Sequence, residues 1–188
     1  GVADGLRELP GRPMAIMGDD ISRIEQSEGL DPDSGAFPVA PIMILPIEKE
    51  PSKLHILMQG GGPEIRSKTY RVFHKHSIDV VRDEICRWAT DEVANLGCTP
   101  TTLAIGIGRS HYEAASLMLM AMIEGRYDKQ TELEKHITNN VNKSNVGPLG
   151  LGGITVLAAF LKVGPQRASG VRIVCMRPCC CVEPRVAA

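Results

Sequence analysis

The uncharged run Thr101–Ile107, rich in β-branched residues, constrains this chain more than any other segment. A strand with one wet face alternates apolar and polar residues, whereas a strand covered on both faces reads as one apolar run. Thr101–Ile107 is of the second kind and predicts a buried strand in a helix-flanked sheet. From Ser77 to Leu96, Ile78, Val81, Ile85, Trp88, Ala89 and Val93 recur at helical spacing opposite Asp79, Arg82, Asp83, Arg87, Asp91 and Glu92. Ser77 is the expected N-cap and Gly97 the expected stop. The strand is expected to end at Gly106-Ile107-Gly108-Arg109-Ser110 and to be followed by a helix through Ala114–Glu124. A strand, a glycine turn and a helix start form a natural anion site. The dinucleotide fingerprint, however, lacks its third glycine.

The remaining elements complete an α/β class, with mixed β-sheets flanked by helices in a single domain. Residues 1–41, rich in Gly, Pro and Asp, read as a mostly irregular N-terminal arm with one short helix near Ile21–Ser27. The domain proper then runs over 42–188. Pro41–Ile47 reads as an edge strand, Lys53–Met58 as its pairing partner, and Glu48–Pro51 as the turn between them. A polar helix is expected at Thr131–Asn142, a glycine-rich loop at Val146–Gly153 and a strand at Gly170–Met176, with a cysteine cluster at that strand's exposed end. Met118, Met120 and Met122 fall on different helix faces and read as core.

Charge and hydropathy remove several function classes. Lys+Arg 21 against Asp+Glu 22 leaves a net charge of -1, which argues against nucleic-acid or membrane-surface partners recruited by bulk charge. The apolar runs are too short or too glycine-broken to span a bilayer, and the first residues lack a signal-peptide pattern, so a cytoplasmic chain is expected.

Function is therefore sought in loops and cysteines. Gln59-Gly60-Gly61-Gly62-Pro63-Glu64 reads either as a backbone cradle for an anion or as a connector. Of the six cysteines, Cys86 sits on a predicted apolar helix face; Cys98 precedes the buried strand; Cys175, Cys179, Cys180 and Cys181 crowd the tail. In a reducing compartment the tail reads as metal or iron–sulfur ligands, or as plain thiols, rather than as disulfides. The spacing Cys175-x-x-x-Cys179 is also compatible with a structural zinc. His74 and His76 could hold a metal but read better as a solvated loop pair, and His55, His111 and His136 carry no strong signal. Arg109 and Lys68 could each pair a carboxylate.

The order of these motifs is more informative than any one of them. Gln59-Gly60-Gly61-Gly62, Cys98-Thr99-Pro100 with Ile105-Gly106-Ile107-Gly108, Gly147-Pro148-Leu149-Gly150-Leu151-Gly152-Gly153, and Ala168-Ser169 ahead of the cysteines resemble the iron–sulfur hydro-lyases. These are the class I fumarases and the α subunits of L-tartrate dehydratase, and the resemblance runs from about Asp31 to Arg185. Asp31-Pro32-Asp33-Ser34-Gly35 is similar to that family's Asn-Thr-Gly-Asp-Asn segment. The resemblance implies a [4Fe–4S] cluster held by three cysteines, its open iron acting as a Lewis acid on a leaving hydroxyl. It implies Cys98 as one ligand and Cys175, Cys179 or Cys180 as another, with Gly60, Gly61 and Gly62 on a substrate carboxylate; Arg109 is a further substrate-binding candidate. The implied reaction hydrates or dehydrates a small dicarboxylate of fumarate/malate or tartrate type, in an oligomer with a separate β subunit. The family's first cysteine, upstream of the glycine triplet, has no counterpart in Pro13–Asp20. Either the tail cysteines replace it, or the chain is a non-catalytic homologue that binds or assembles with a partner.

Overall fold

The computed structural model of the chain describes residues 1–9, 15–36, 41–46 and 52–179, together with the backbone of 186–187. The chain divides into two compact units, Gly1–Glu48 and Lys49–Ala188.

The first unit is less irregular than its composition suggests. Helix α1 spans Val2–Glu8, and α2 spans Asp20–Glu25 with the Asp19 side chain accepting from the Ser22 N–H at its start. The Arg7 guanidinium grips the Asp33 carboxylate at 2.8 and 3.0 Å, and this contact holds Asp33 below the usual carboxylate range. The Asp31–Gly35 segment is a self-bonded turn: Asp31 Oδ1 accepts from the Asp33 N–H and Asp33 Oδ1 from the Gly35 N–H. Its acids are thus occupied locally.

In the second unit, β1 (Ile56–Leu57), α3 (Gly61–Ile65), β2 (Lys68–Phe73), α4 (Ile78–Ala94), β3 (Thr101–Gly108), α5 (His111–Glu124), α6 (Glu132–Asn142), β4 (Val156–Val163), β5 (Val171–Cys179) and β6 (Val186–Ala187) follow in order. The main sheet runs β2-β5-β3-β4; β3 and β4 are parallel, and β5 is antiparallel to both of its neighbours. This is the expected mixed, helix-flanked α/β arrangement. Leu103, Ile105 and Ile107 of β3 pack with Val174 and Met176 of β5 under α4 and α6. The opposite face of β3 and β5 packs Ala104, Cys175 and Cys179 against Ala114, Met118 and Met122 of α5. Helix α4 starts at the expected Ser77, whose hydroxyl accepts from the Asp79 N–H.

Three expectations are corrected. Lys53–Met58 contributes only β1, which pairs with β6 and not with Pro41–Ile47; residues 41–46 have no strand, and 47–51 lie outside the described residues. Gly106 and Gly108 are not a turn but the last part of β3. A Cβ on Gly106 would lie 2.0 Å from the Ala114 carbonyl oxygen, and one on Gly108 would lie 2.6 Å from the Ala114 nitrogen. The two glycines let the α5 backbone settle directly on the strand. The third correction concerns the tail: Arg177-Pro178-Cys179 belongs to β5 and is buried, not an exposed strand end. Pro178 is tolerated there because β2 stops at Lys68, opposite Met176, leaving that side of β5 without a ladder partner for the missing N–H.

The polarity of α6 has a structural reason. Glu134, Thr138 and Asn142, spaced i, i+4 and i+8, form one stripe facing β4. Glu134 Oε1 accepts from the Leu161 N–H (2.7 Å), Thr138 Oγ1 from Ala159 (2.9 Å), and Asn142 Oδ1 from Thr155 and Val156 (2.8 Å each). The stripe takes up the outward N–H groups of Thr155, Val156, Ala159 and Leu161 along the outer edge of the sheet.

Candidate functional site

The amino end of β3 and the carboxyl end of β5 share one edge, because the two strands are antiparallel and Thr102 lies opposite Cys179. Buried threonines bind three segments together there. The Thr99 hydroxyl donates to the Gly147 carbonyl, the Thr101 hydroxyl donates to the Cys179 carbonyl, and the Gly147 N–H donates to Thr155 Oγ1 at 3.0 Å. The Cys98 segment, whose Thr99–Pro100 bond is cis, is thereby fixed beside the carboxyl end of β5 and the Gly147–Gly153 loop. Gly147 has φ +67°, and a Cβ on it would lie 1.9 Å from the Gly152 oxygen, so this loop demands glycine at its neck. Beyond the neck, Leu149, Leu151 and Ile154 are exposed. Sequence reasoning missed the threonines because, inside an apolar β-branched run, they look like ordinary strand residues.

The described cysteines occupy very different environments. Cys98 is exposed at the shared edge, whereas Cys175 and Cys179 are buried under α5. The Thr69 hydroxyl donates to Cys175 Sγ at 3.4 Å, and Cys175 donates to Met118 Sδ at 3.5 Å; burial pushes its thiol above the usual range. Cys175 therefore sits as a neutral thiol four residues along β5 from Cys179, and the structure does not bring it to Cys98. Cys180 and Cys181 lie outside the described residues. Cys86, partly buried against the core on α4, is the packing residue expected; burial raises its thiol as well. Since the thiolate is the nucleophile, iodoacetamide is expected to modify Cys98 in the native chain at least about a hundredfold faster than Cys175, as peptide mass spectrometry of timed samples would measure. Equal rates would contradict this burial pattern.

The glycine triplet lies on the α5 side of β5, two residues from Cys179 along the strand through its contact with Arg177. Gly60 is extended (φ -83°, ψ 143°), and Gly61 opens α3, a single turn ending at Ile65. Neither Gly61 nor Gly62 needs to be glycine for packing: a Cβ on either meets nothing within 4 Å, and neither has a positive φ. Arg177 is 1% exposed. Its Nη1 donates to Glu64 Oε2, and its Nη2 to the Gly60 carbonyl at 3.2 Å. Arg177 gave no sequence signal beyond an Arg-Pro step before the cysteines.

Other candidates are set apart. Arg109 follows the carboxyl end of β3, an eight-residue strand about 25 Å long at the usual rise per residue, whereas Cys98 precedes its amino end. Glu113 grips its guanidinium at 2.9 and 3.1 Å, and this contact holds the carboxyl of Glu113 low. Arg109 helps line a cavity of about 260 Å³ with Gly108, Gln166, Arg167 and Ser169 at that far end. The expected grouping of Arg109 with the glycine triplet is thus not what the structure brings together. Lys68 pairs with Glu92. His74, 8% exposed, engages the Ser169 carbonyl through Nε2 (2.9 Å) and accepts the His76 N–H at Nδ1 (2.9 Å). With both ring nitrogens on backbone groups, His74 is a structural lock and has no lone pair left for a metal.

Among the described residues, no group of three His, Cys, Asp or Glu side chains is placed to hold a metal ion. Of the described cysteines, Cys98 and Cys179 lie toward this edge, Cys98 exposed and Cys179 buried, and Cys180 and Cys181 lie outside the described residues. No helix of the described residues is long and apolar enough to cross a membrane.

A helix-flanked mixed sheet carrying a cysteine edge, a neck-glycine loop and an open glycine triplet agrees with a match over residues 1–188 to the family model for fumarate hydratase (Fumerase). The chain belongs to this family. It is also 29% identical over 114 residues to a Methanocaldococcus jannaschii protein named as an L(+)-tartrate dehydratase subunit alpha, over 56% of this chain and 39% of that protein. The chain thus spans about two fifths of the length of this curated relative.

Proposed function

We propose that the chain is the cysteine-bearing part of a hydro-lyase that hydrates an unsaturated dicarboxylate or dehydrates a hydroxy-dicarboxylate of malate or tartrate type. The observation that carries this reading is the open glycine triplet. Packing does not require glycine at 61 and 62, and their bare backbone suits the approach of an anion. Backbone N–H groups attract a carboxylate without adding a titratable side chain. Gly60, Gly61 and Gly62 would bind and orient one substrate carboxylate. Arg109, at the far end of β3, belongs outside this subsite.

For a [4Fe–4S] cluster, Cys98 together with Cys179 or Cys180 would be the ligands from this chain, and a further donor must come from outside the described residues. Cys175, buried and bonded to Met118, is left as core. A separate β subunit, in a cytoplasmic hetero-oligomer, would supply the base that takes the proton from carbon. The lack of a cysteine in Pro13–Asp20, where the family's first ligand lies, favours one rival, a family member that has lost the cluster and serves as a binding or assembly module.

Iron and acid-labile sulfide, measured after anaerobic reconstitution, separate the two. The hydro-lyase reading expects about four of each per chain, their loss in Cys98→Ser without loss of fold by circular dichroism, and malate or tartrate turnover once the partner subunit is added. Absence of iron in the unaltered chain, with no turnover beside its partner, would establish the rival.

A further inference from the structure

We propose that the cavity at the carboxyl end of β3 is a second ligand site, which takes a small oxyanion of phosphate or carboxylate type on the Arg167 guanidinium. This site stands independently of the dicarboxylate reading above. The cavity, of about 260 Å³, is lined by Gly108, Val171 and Ile173 of the sheet and by the loop that joins β4 to β5. It lies at the first residue of β5, whereas Cys179 is the last, so it is remote from the cysteine edge.

The polar groups around the cavity sort by sign. Backbone acceptors are taken up in holding the loop. The Ile107 carbonyl accepts from the Gly164 N–H (2.9 Å) and from Gln166 Nε2 (3.2 Å). The Ser169 carbonyl engages His74 Nε2 and accepts from Arg172 Nη1 (2.9 Å each), and the Gly170 carbonyl accepts from the His74 N–H (3.0 Å). Donors are left over. The Ser169 hydroxyl oxygen accepts from the Val171 N–H (3.2 Å), which leaves its proton to give. The Arg167 guanidinium lines the cavity with neither a hydrogen bond nor an ion pair among the described residues.

Charge leans the same way. Glu113 answers Arg109 at 2.9 Å, but no acid among the described residues answers Arg167. Arg71 of β2 is also without a partner there. It lies opposite Ile173 and shares the sheet face of Thr69, which reaches Cys175 under α5, so a second bare cation flanks the cavity wall. Two uncompensated guanidiniums attract an anion, and the fork of N–H donors on Arg167 matches the paired oxygens of a phosphate or carboxylate. The loop is already fixed to receive one, because His74 and Arg172 hold its backbone from outside the cavity.

The full chain is titrated separately with inorganic phosphate and with succinate, in about 0.15 M chloride to screen loose surface attraction. Amide resonances of residues 166–171 are followed. Arg167 and Arg71 are exposed, so their variants leave the fold intact, as circular dichroism would verify. Loss of a charge-assisted hydrogen bond is expected to weaken binding roughly tenfold in Arg167→Gln, and loss of the flanking charge about two- to fivefold in Arg71→Gln. Arg126→Gln removes an equal charge beyond the other end of α5, beside Asp128, and should stay within about twofold of the unaltered chain. Shifts with phosphate alone assign a phosphate ligand, shifts with succinate alone a carboxylate ligand, and either result supports the site. Resonances of 166–171 that move with neither anion overturn it, as does unchanged binding in Arg167→Gln. An equal loss in Arg126→Gln also overturns it, since bulk charge would then act.

Discussion

Gly106→Ala is expected to abolish folding of the sheet unit, seen as loss of cooperative thermal unfolding by circular dichroism. The added methyl would sit 2.0 Å from the Ala114 oxygen and 2.4 Å from the Met118 nitrogen, both in the backbone of α5. No rotamer relieves a clash with backbone, so α5 must lift off β3. That move separates Met118 and Met122 from Ala104, Cys175 and Cys179. The cost should exceed about 5 kcal/mol, the top of the range for single substitutions and comparable with the whole stability of many domains. Gly61→Ala, whose Cβ enters open space, is the matched control and should leave the melting temperature within about 2 °C. Equal destabilisation of the two variants would refute the close packing of α5 on β3.

Glu134→Ala is expected to cost about 3 kcal/mol, lowering the melting temperature by about 10 °C for a unit of this size. One oxygen of this buried carboxylate accepts from the Thr131 N–H (2.7 Å) and hydroxyl (2.8 Å), closing the capping box of α6; the other accepts from the Leu161 N–H (2.7 Å). Truncation unmakes the cap and leaves a strand N–H without a partner at once. Glu134→Gln retains an acceptor for Leu161 and should recover at least half of the loss. Thermal melts of the two variants side by side provide the check.

The parts of the fold legible in the sequence were those in which burial writes a period. Ser77–Leu96 and Thr101–Ile107 declared a helix and a doubly covered strand because apolar spacing has few other solutions. Strand β2, Lys-Thr-Tyr-Arg-Val-Phe, was missed because an edge strand can carry charge and its ladder is made by backbone. The stripe Glu134, Thr138 and Asn142 reads in sequence only as part of a polar helix, because hydrogen bonding to a strand edge leaves no hydropathy signal. Gly106 and Gly108 were legible as glycines but not as to purpose: a turn and a helix-on-strand contact both need a missing Cβ, and only the register of α5 separates them. At the site, Cys98 and the glycine triplet stood out by composition. Arg177 could not, because its partners Gly60 and Glu64 lie more than a hundred residues away.

Helix α6 is in effect a counterfeit strand. Its side chains accept from the Thr155, Val156, Ala159 and Leu161 N–H groups, the places where another strand's carbonyls would dock, and so block a neighbour along that stretch of β4. Sheet growth by strand addition is then confined to the opposite margin, β2, where Lys68 and Arg71 are exposed. Lys68 is neutralised there by Glu92, and Arg71 places a charged side chain on the margin. The main sheet thus carries one margin occupied by a helix and one marked by a charged side chain.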